Sequence, residues 1–441
     1  MGFHSGHSLN AAEIADLLAE ARARTLSLIS RVSEEDLLRQ HDPLMSPIIW
    51  DLGHIAHFEE VWLLERATGG TGASEGLRGI FNPFETPRLE RGRLALPTLA
   101  ECLEFMEEVR RSALLRLQSL DLASSDPLLQ DGFVFRLVLQ HEYQHNETIL
   151  QTLQLKLGDP YEALREFSLP DRPQSPAGDE DAMVVFPGGE IEIGTDDRSA
   201  AYDNERPKHK VTVAPFSIDV TPVTNGSYLK FVEADGYRDE RFWDEAGRAW
   251  LDESGADAPK YWERVGGVWH TRVMNRSGPV DPDHPVCHVC YHEAAAFARF
   301  CGKRLPTEFE WEAAATWDPT SGRTRAYPWG DEPGTPSMAN LDTLSFQTAP
   351  VWSYPDNVSP IGCYGMIGDV WEWTSTDFEG YPGYETFPYK EYSEVFFGDE
   401  YKVLRGGAWA SRASAVRSTF RNWDYPIRRQ IFSGFRCAID G

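Results

Sequence analysis

The stretch Gln140-His141-Glu142-Tyr143-Gln144-His145-Asn146-Glu147 sets two histidines four residues apart. On a helix that spacing stacks them on one face. Val134, Val138, Ile149 and Leu153 run along the same face through His141 and His145, so both imidazoles are expected to point into a core. A lone core histidine is ordinarily a hydrogen-bonded packing residue. Two stacked at this spacing, with a third on a neighbouring helix, form a metal-ligand pattern. The letters also spell HExxH, in which two histidines hold zinc and the glutamate serves as general base. The third histidine lies upstream in IIWDLGHIAHFEEVW. There His54 shares a stripe with Trp50, Phe58 and Trp62, while His57 sits one step round the helix, and spacing leaves both open.

The elements that must position these groups are helical. Apolar and charged residues alternate at helical spacing over residues 10–32, and a second helix follows Pro47. The Pro-rich FNPFETPRLERGRLALP, carrying Arg88, Arg91 and Arg93, is expected to be a non-helical loop over the mouth of the bundle. Further helices are expected over residues 98–120 and 126–157. Four such helices make an antiparallel bundle, which places metal sites between facing helices. Residues 168–182, rich in Pro, Ser and acidic residues, read as a linker. From Met183 on, short β-type runs alternate with Gly/Pro turns, broken by one clear helix at residues 292–302, which RLPTEFEWEAAAT (304–316) follows. This half presents loops, the usual carriers of binding residues.

Bulk properties narrow the function. The 441 residues carry a net charge of −27, which argues against nucleic acid and anionic membranes as partners. No apolar run approaches a membrane span, and the start, MGFHSGH, lacks signal-peptide character. Six cysteines in this length show no disulfide framework, and Cys287-x-x-Cys290 has no second pair to complete a zinc site. A reducing, cytoplasmic setting is expected. Composition says nothing of oligomeric state.

In the second half GGEIEIGTDD, DNERPKHKVTV, VTNGSYLKFV, RLPTEFEWE, YPWGDE, GDVWEWT, VLRGGAWAS and GFRCA resemble the formylglycine-generating-enzyme (sulfatase-modifying) fold, a variant of the C-type lectin fold. In those enzymes the catalytic cysteines follow the GG of the VLRGG-like motif. Here Ser411 and Val416 stand in those places, so sulfatase maturation is not expected. In the first half WDLGHIAHFEE and HEYQHNETILQ resemble the DinB-like helical bundle. The resemblance implies an α+β chain: a DinB-like four-helix bundle over residues 1–167, the linker, and a formylglycine-generating-enzyme-like domain over 183–441.

Together the halves are similar to the non-haem iron sulfoxide synthases of ergothioneine biosynthesis. FRNWDYPIRRQIFSGFR and FPYKEYSEVFFG are similar to the actinobacterial-type branch. The family holds iron(II), Fe(2+), by three histidines that map onto His54, His141 and His145. The implied reaction uses O2 to join the sulfur of γ-glutamylcysteine to C2 of the imidazole of Nα-trimethylhistidine (hercynine), leaving a sulfoxide. By the same resemblance, Gln144 orients the substrate imidazole and Tyr389 donates to the oxygen-derived intermediate, with Tyr381 and Tyr384 as competing tyrosines. Tyr392, Asn422 and Trp423 hold the trimethylammonium group, which only aromatic faces and weak polar contacts can grip. Arg88 and Arg91 clamp the donor's carboxylates, Asp424 meets its amino group and Arg428 assists. The ligands come from the first domain and Tyr389 from the second, so the resemblance implies an active site at the domain interface. Free cysteine as donor is the alternative within the family, a zinc metallopeptidase using Glu142 the alternative outside it, and a non-catalytic lectin-like binder a further rival.

Overall fold

The computed structural model of the protein describes residues 9–72, 76–163 and 182–441. The expected linker lies outside the described residues, save Ala182. The chain divides into two compact units. The helical unit holds the described residues up to 163 together with Asp197–Ala200; the other holds residues 182–196 and Ala201–Gly441.

In the helical unit, α1 (Ala11–Ile29) opens at a reciprocal cap. Asn10 Oδ1 accepts from the Ala12 and Glu13 backbone N–H groups, and the Glu13 carboxylate accepts from Asn10 N–H. Following Pro47, α2 (Ile48–Glu59) is buried at every position and runs on as a π-helix over Glu60–Arg66. A helix buried all round is a core helix, and π segments gather near functional sites. Thr98 and Glu101 form a second capping box for α3 (Leu99–Leu117). The last helix, α4 (Phe133–Leu155), is shorter than the expected 126–157 because Asp131 (φ 55°) and Gly132 (φ 73°) take left-handed backbone and break the helix before Phe133. The expected loop with the arginines follows a short helix Arg78–Phe81 and contains a 3-10 turn, Arg88–Arg93. α2 packs on α3 and α4, and α1 packs on α4.

Four of the buried charges form a quartet among these helices. Arg22 bonds Glu59 at 2.9 Å and Glu142 at 3.1 Å, while Arg110 bonds the same two carboxylates at 2.6 and 3.1 Å. Burial alone would push the Glu142 carboxyl up, but Arg22, Arg110 and the Thr25 hydroxyl hold it below the usual carboxylate range.

In the second unit β1 (Met183–Phe186), β2 (Gly189–Ile193), β3 (His209–Val213) and β4 (Phe216–Asp219) come first. The helices α5 (Tyr291–Phe300) and α6 (Glu308–Thr316) follow. A four-stranded sheet is built from β5 (Trp371–Phe378), β6 (Gly398–Arg405), β7 (Asn422–Asp424) and β8 (Ser433–Gly434) in the order β7-β6-β5-β8. The final strand, β9 (Ala438–Asp440), pairs with β4 on the side opposite β1. Ala313, Ala314 and Ala315 of α6 are fully buried beside Phe186, Phe216, Ile218 and Trp311; their small side chains let α6 contact both β2–β3 and β5–β6.

The motif letters of this unit act largely as buried charge pairs. Glu308 bonds Arg421 and Arg405, Glu312 bonds Arg405, and Glu372 grips Arg436 through two bonds of 2.7 and 2.8 Å. Gly406 must be glycine: its φ is 93°, and a Cβ there would lie 2.6 Å from the Met366 carbonyl oxygen. Among the described residues no helix is long and apolar enough to cross a membrane.

Candidate metal centre

α4 carries His141 and His145 one turn apart, and α2 faces it with His54. One ligand atom from each lies within 4.8 Å of the others, the only such cluster among the described residues. The ring centroids are 4.6 to 5.0 Å apart. His57, whose ring centroid is 6.4 Å from that of His54, is not a member, and neither is Cys287 or Cys290. Burial, with the neighbouring His145, holds His54 and His141 well below the usual histidine range. They are therefore neutral, which is the ligating form.

Two of the rings are anchored through Nδ1. His54 Nδ1 donates to the Phe81 carbonyl at 2.9 Å, and His145 Nδ1 lies 3.1 Å from Asp51 Oδ1. An acceptor at Nδ1 leaves Nε2 unprotonated and free to ligate. His141 stacks on Phe58 with centroids 3.7 Å apart. Gly53 permits the His54 anchor, because a Cβ there would sit 2.1 Å from the Phe81 ring. A partly dry set of three imidazoles, two of them held neutral by burial, fits a divalent transition metal.

Glu142 is not poised as a general base. Both its oxygens are taken by Arg22, Arg110 and Thr25, and the residue is 1% exposed. The metallopeptidase reading loses its base.

The two arginines of the 3-10 turn differ. Arg88 is exposed, with Nη1 3.3 Å from the Leu44 carbonyl. Arg91 is buried, bonds the Thr86 carbonyl and Ser46 Oγ, and lies 3.4 Å over the Trp50 ring. Trp50 in turn stacks on His54 at 4.8 Å. Gln144 is half-buried beside His145 on α4.

In the second unit Tyr389 is half-buried, with its ring 6.3 Å from that of Tyr392. Burial, with Tyr202 and Asp203 beside it, pushes the Tyr389 phenol well above the usual tyrosine range, so it stays protonated. The competing tyrosines are engaged structurally: Tyr384 Oη donates to Asp203 at 2.8 Å and Tyr381 Oη to Glu308 at 3.4 Å. Tyr392 stacks on Tyr202 (4.2 Å) and meets Trp423 edge-on (5.6 Å). Trp423 stacks on Phe378 at 4.1 Å. Because side chains alternate along β7, Asn422 and Asp424 share one face of the strand and Trp423 takes the other. Asp424 is paired with Arg428 at 3.3 Å. Ser411, where a sulfatase-modifying enzyme has cysteine, accepts from Ala408 N–H, and Val416 is core.

Residues 17–149 match the DinB superfamily model and residues 169–441 the model of the sulfatase-modifying factor enzyme 1-like domain. The chain is 44% identical to the hercynine oxygenase of Mycolicibacterium thermoresistibile, over 97% of this chain and 95% of that protein. It is 43% identical to that of Mycobacterium tuberculosis, over 97% and 99%. The chain belongs to the hercynine oxygenase family. This membership makes it an enzyme of the oxidoreductase class, and the α+β reading with its two domain types holds.

Sequence reasoning missed Asp51, the Phe81 carbonyl and Asp203. Asp203 is buried and accepts from Tyr384 Oη, Phe387 N–H and Ser393 Oγ, pinning the loop that carries Tyr389. Asp51 did carry a signal: it lies three residues before His54, on the same helix face. A backbone carbonyl leaves none.

Proposed function

We propose that this hercynine oxygenase family member is an O2-dependent iron(II) sulfoxide synthase acting in ergothioneine biosynthesis. It joins the sulfur of γ-glutamylcysteine to C2 of the Nα-trimethylhistidine imidazole. The observation that carries the reading is the cluster of His54, His141 and His145, two of them buried, with Nδ1 of two rings tied off. The reaction balances as thiol plus imidazole C2–H plus O2 giving the C2 sulfoxide plus water. The C–S bond forms as the C2–H and S–H bonds break. The organic partners lose four electrons, O2 gains them, and one oxygen atom stays on sulfur.

Iron(II) held by the three imidazoles supplies the redox couple that lets O2 react and a cation that favours the thiolate. The protein's own groups do the rest. The Gln144 amide hydrogen-bonds and orients the substrate imidazole, and the protonated Tyr389 phenol delivers a proton to the developing oxygen product. The Trp423 and Tyr392 rings receive the trimethylammonium group; Asn422, on the opposite face of β7, does not share that contact. Arg88 supplies an exposed fork for a donor carboxylate, Arg91 adds positive charge behind it, and the Asp424–Arg428 pair addresses the donor's amino and carboxylate groups.

Free cysteine as donor is a second reading, favoured by one observation: Arg91 already spends hydrogen bonds on Thr86 and Ser46. Mass spectrometry of aerobic incubations with iron(II), Nα-trimethylhistidine and either donor separates the two. A conjugate sulfoxide formed chiefly from the dipeptide is expected. Product chiefly from cysteine would remove the clamp role of Arg88 and Arg91, and no conjugate from either donor, despite bound iron, would sink the reading.

A further inference from the structure

Trp50 and Asp51 are consecutive on α2, and each reaches a different histidine of the cluster. Trp50 stacks on His54, while Asp51 Oδ1 lies 3.1 Å from His145 Nδ1. A carboxylate oxygen at that distance is an acceptor, so Nδ1 carries the proton. Asp51 is 1% exposed, and its Oδ2 is buried with no hydrogen-bond partner among the described residues. A half-paired buried carboxylate is costly, and packing alone does not call for one where an apolar residue would serve.

We infer that Asp51 is a positioning residue of the metal centre, holding His145 in the Nδ1–H tautomer so that its Nε2 lone pair faces the cluster. Burial pushes the Arg91 guanidinium down to about 9, and the Asp51 charge works against that shift. Asparagine fits the volume of Asp51, but its NH2 group can donate to Nδ1. That stabilises the opposite tautomer, whose Nε2–H cannot ligate. The inference rests on His54, His141 and His145 being metal ligands.

The test is cobalt(II) titration of the full chain by calorimetry and visible absorption, on wild type, Asp51→Asn and His57→Asn. His57 is buried on the same helix but outside the cluster, which makes it the control for general disturbance of α2. Asp51→Asn is expected to weaken cobalt affinity about 10- to 100-fold and change the absorption band, with His57→Asn binding as wild type does. Long-range 1H–15N spectra of metal-free wild type, with His145 assigned through His145→Gln, are expected to give the Nδ1–H tautomer. This second measurement decides the matter if Asp51→Asn does not fold. Unchanged cobalt binding by Asp51→Asn, or His145 found as Nε2–H, would overturn the role of Asp51 alone. Wild type that binds no cobalt would overturn the three-histidine reading and Asp51 with it.

Discussion

Glu142 sits between the two α4 histidines in sequence and serves a different purpose. Its carboxylate completes a buried quartet with Arg22, Arg110 and Glu59. Removing one partner strands the others in a dry core, so Glu142→Gln should destabilise the helical unit by about 3 kcal/mol, read as a fall in the denaturant midpoint. The pH dependence has a definite sign. The folded state holds this carboxyl below its ordinary value of 4.5, so its contribution is full above that pH and is lost on acidification through the folded value. Glu142→Gln should therefore flatten the acid limb of the stability profile; an unchanged limb would show that the quartet does not set it. Tyr389 allows a second prediction at this scale. Tyr389→Phe keeps the ring and removes the proton, so it should bind both substrates yet divert turnover toward simple thiol oxidation. Undiminished sulfoxide formation would remove the role proposed for the phenol.

At the scale of elements, the Arg88–Arg93 turn and α2 form one assembly. Arg91 lies on Trp50, Trp50 on His54, and the Phe81 ring against Gly53. Gly53→Ala has no room for its methyl group unless Phe81 moves, and moving Phe81 loosens the His54 anchor. We expect a loss of about 1–3 kcal/mol together with weaker metal binding; a drop in stability at constant metal affinity would separate the packing from the anchor. The two arginines should part company in the same way. Arg88→Ala should raise the Michaelis constant for γ-glutamylcysteine far more than that for Nα-trimethylhistidine, with little change in stability. Equal effects on both constants would count against the clamp. Much at this scale was legible in the sequence. The i, i+4 histidines are a local pattern, and local patterns survive folding. The choice of His54 over His57 rested on resemblance until the geometry set their distances. The late start of α4 did carry a local signal, the Asp131-Gly132 turn pair, which the helical periodicity around it outweighed; the anchoring partners were not legible, because they depend on atoms brought together from distant segments.

For the whole molecule, the excess of acidic over basic residues governs behaviour in solution. With a net charge of −27, like charges repel across the surface, and salt shortens their reach from about 30 Å at 10 mM to about 8 Å at 150 mM. Thermal midpoints should rise over that range, and a midpoint that falls would mean that attractive surface pairs outweigh the repulsion. The sheet that joins β1, β4 and β9 has a consequence in time. β4 lies between a strand made at residues 183–186 and one made at 438–440, so the second unit cannot close that sheet until more than two hundred further residues have been translated after β4. The helices that carry the three histidines are complete by Leu155. During synthesis the histidine cluster can therefore assemble while β4 still has an open edge, and that edge is the place where a nascent chain of this protein would need guarding.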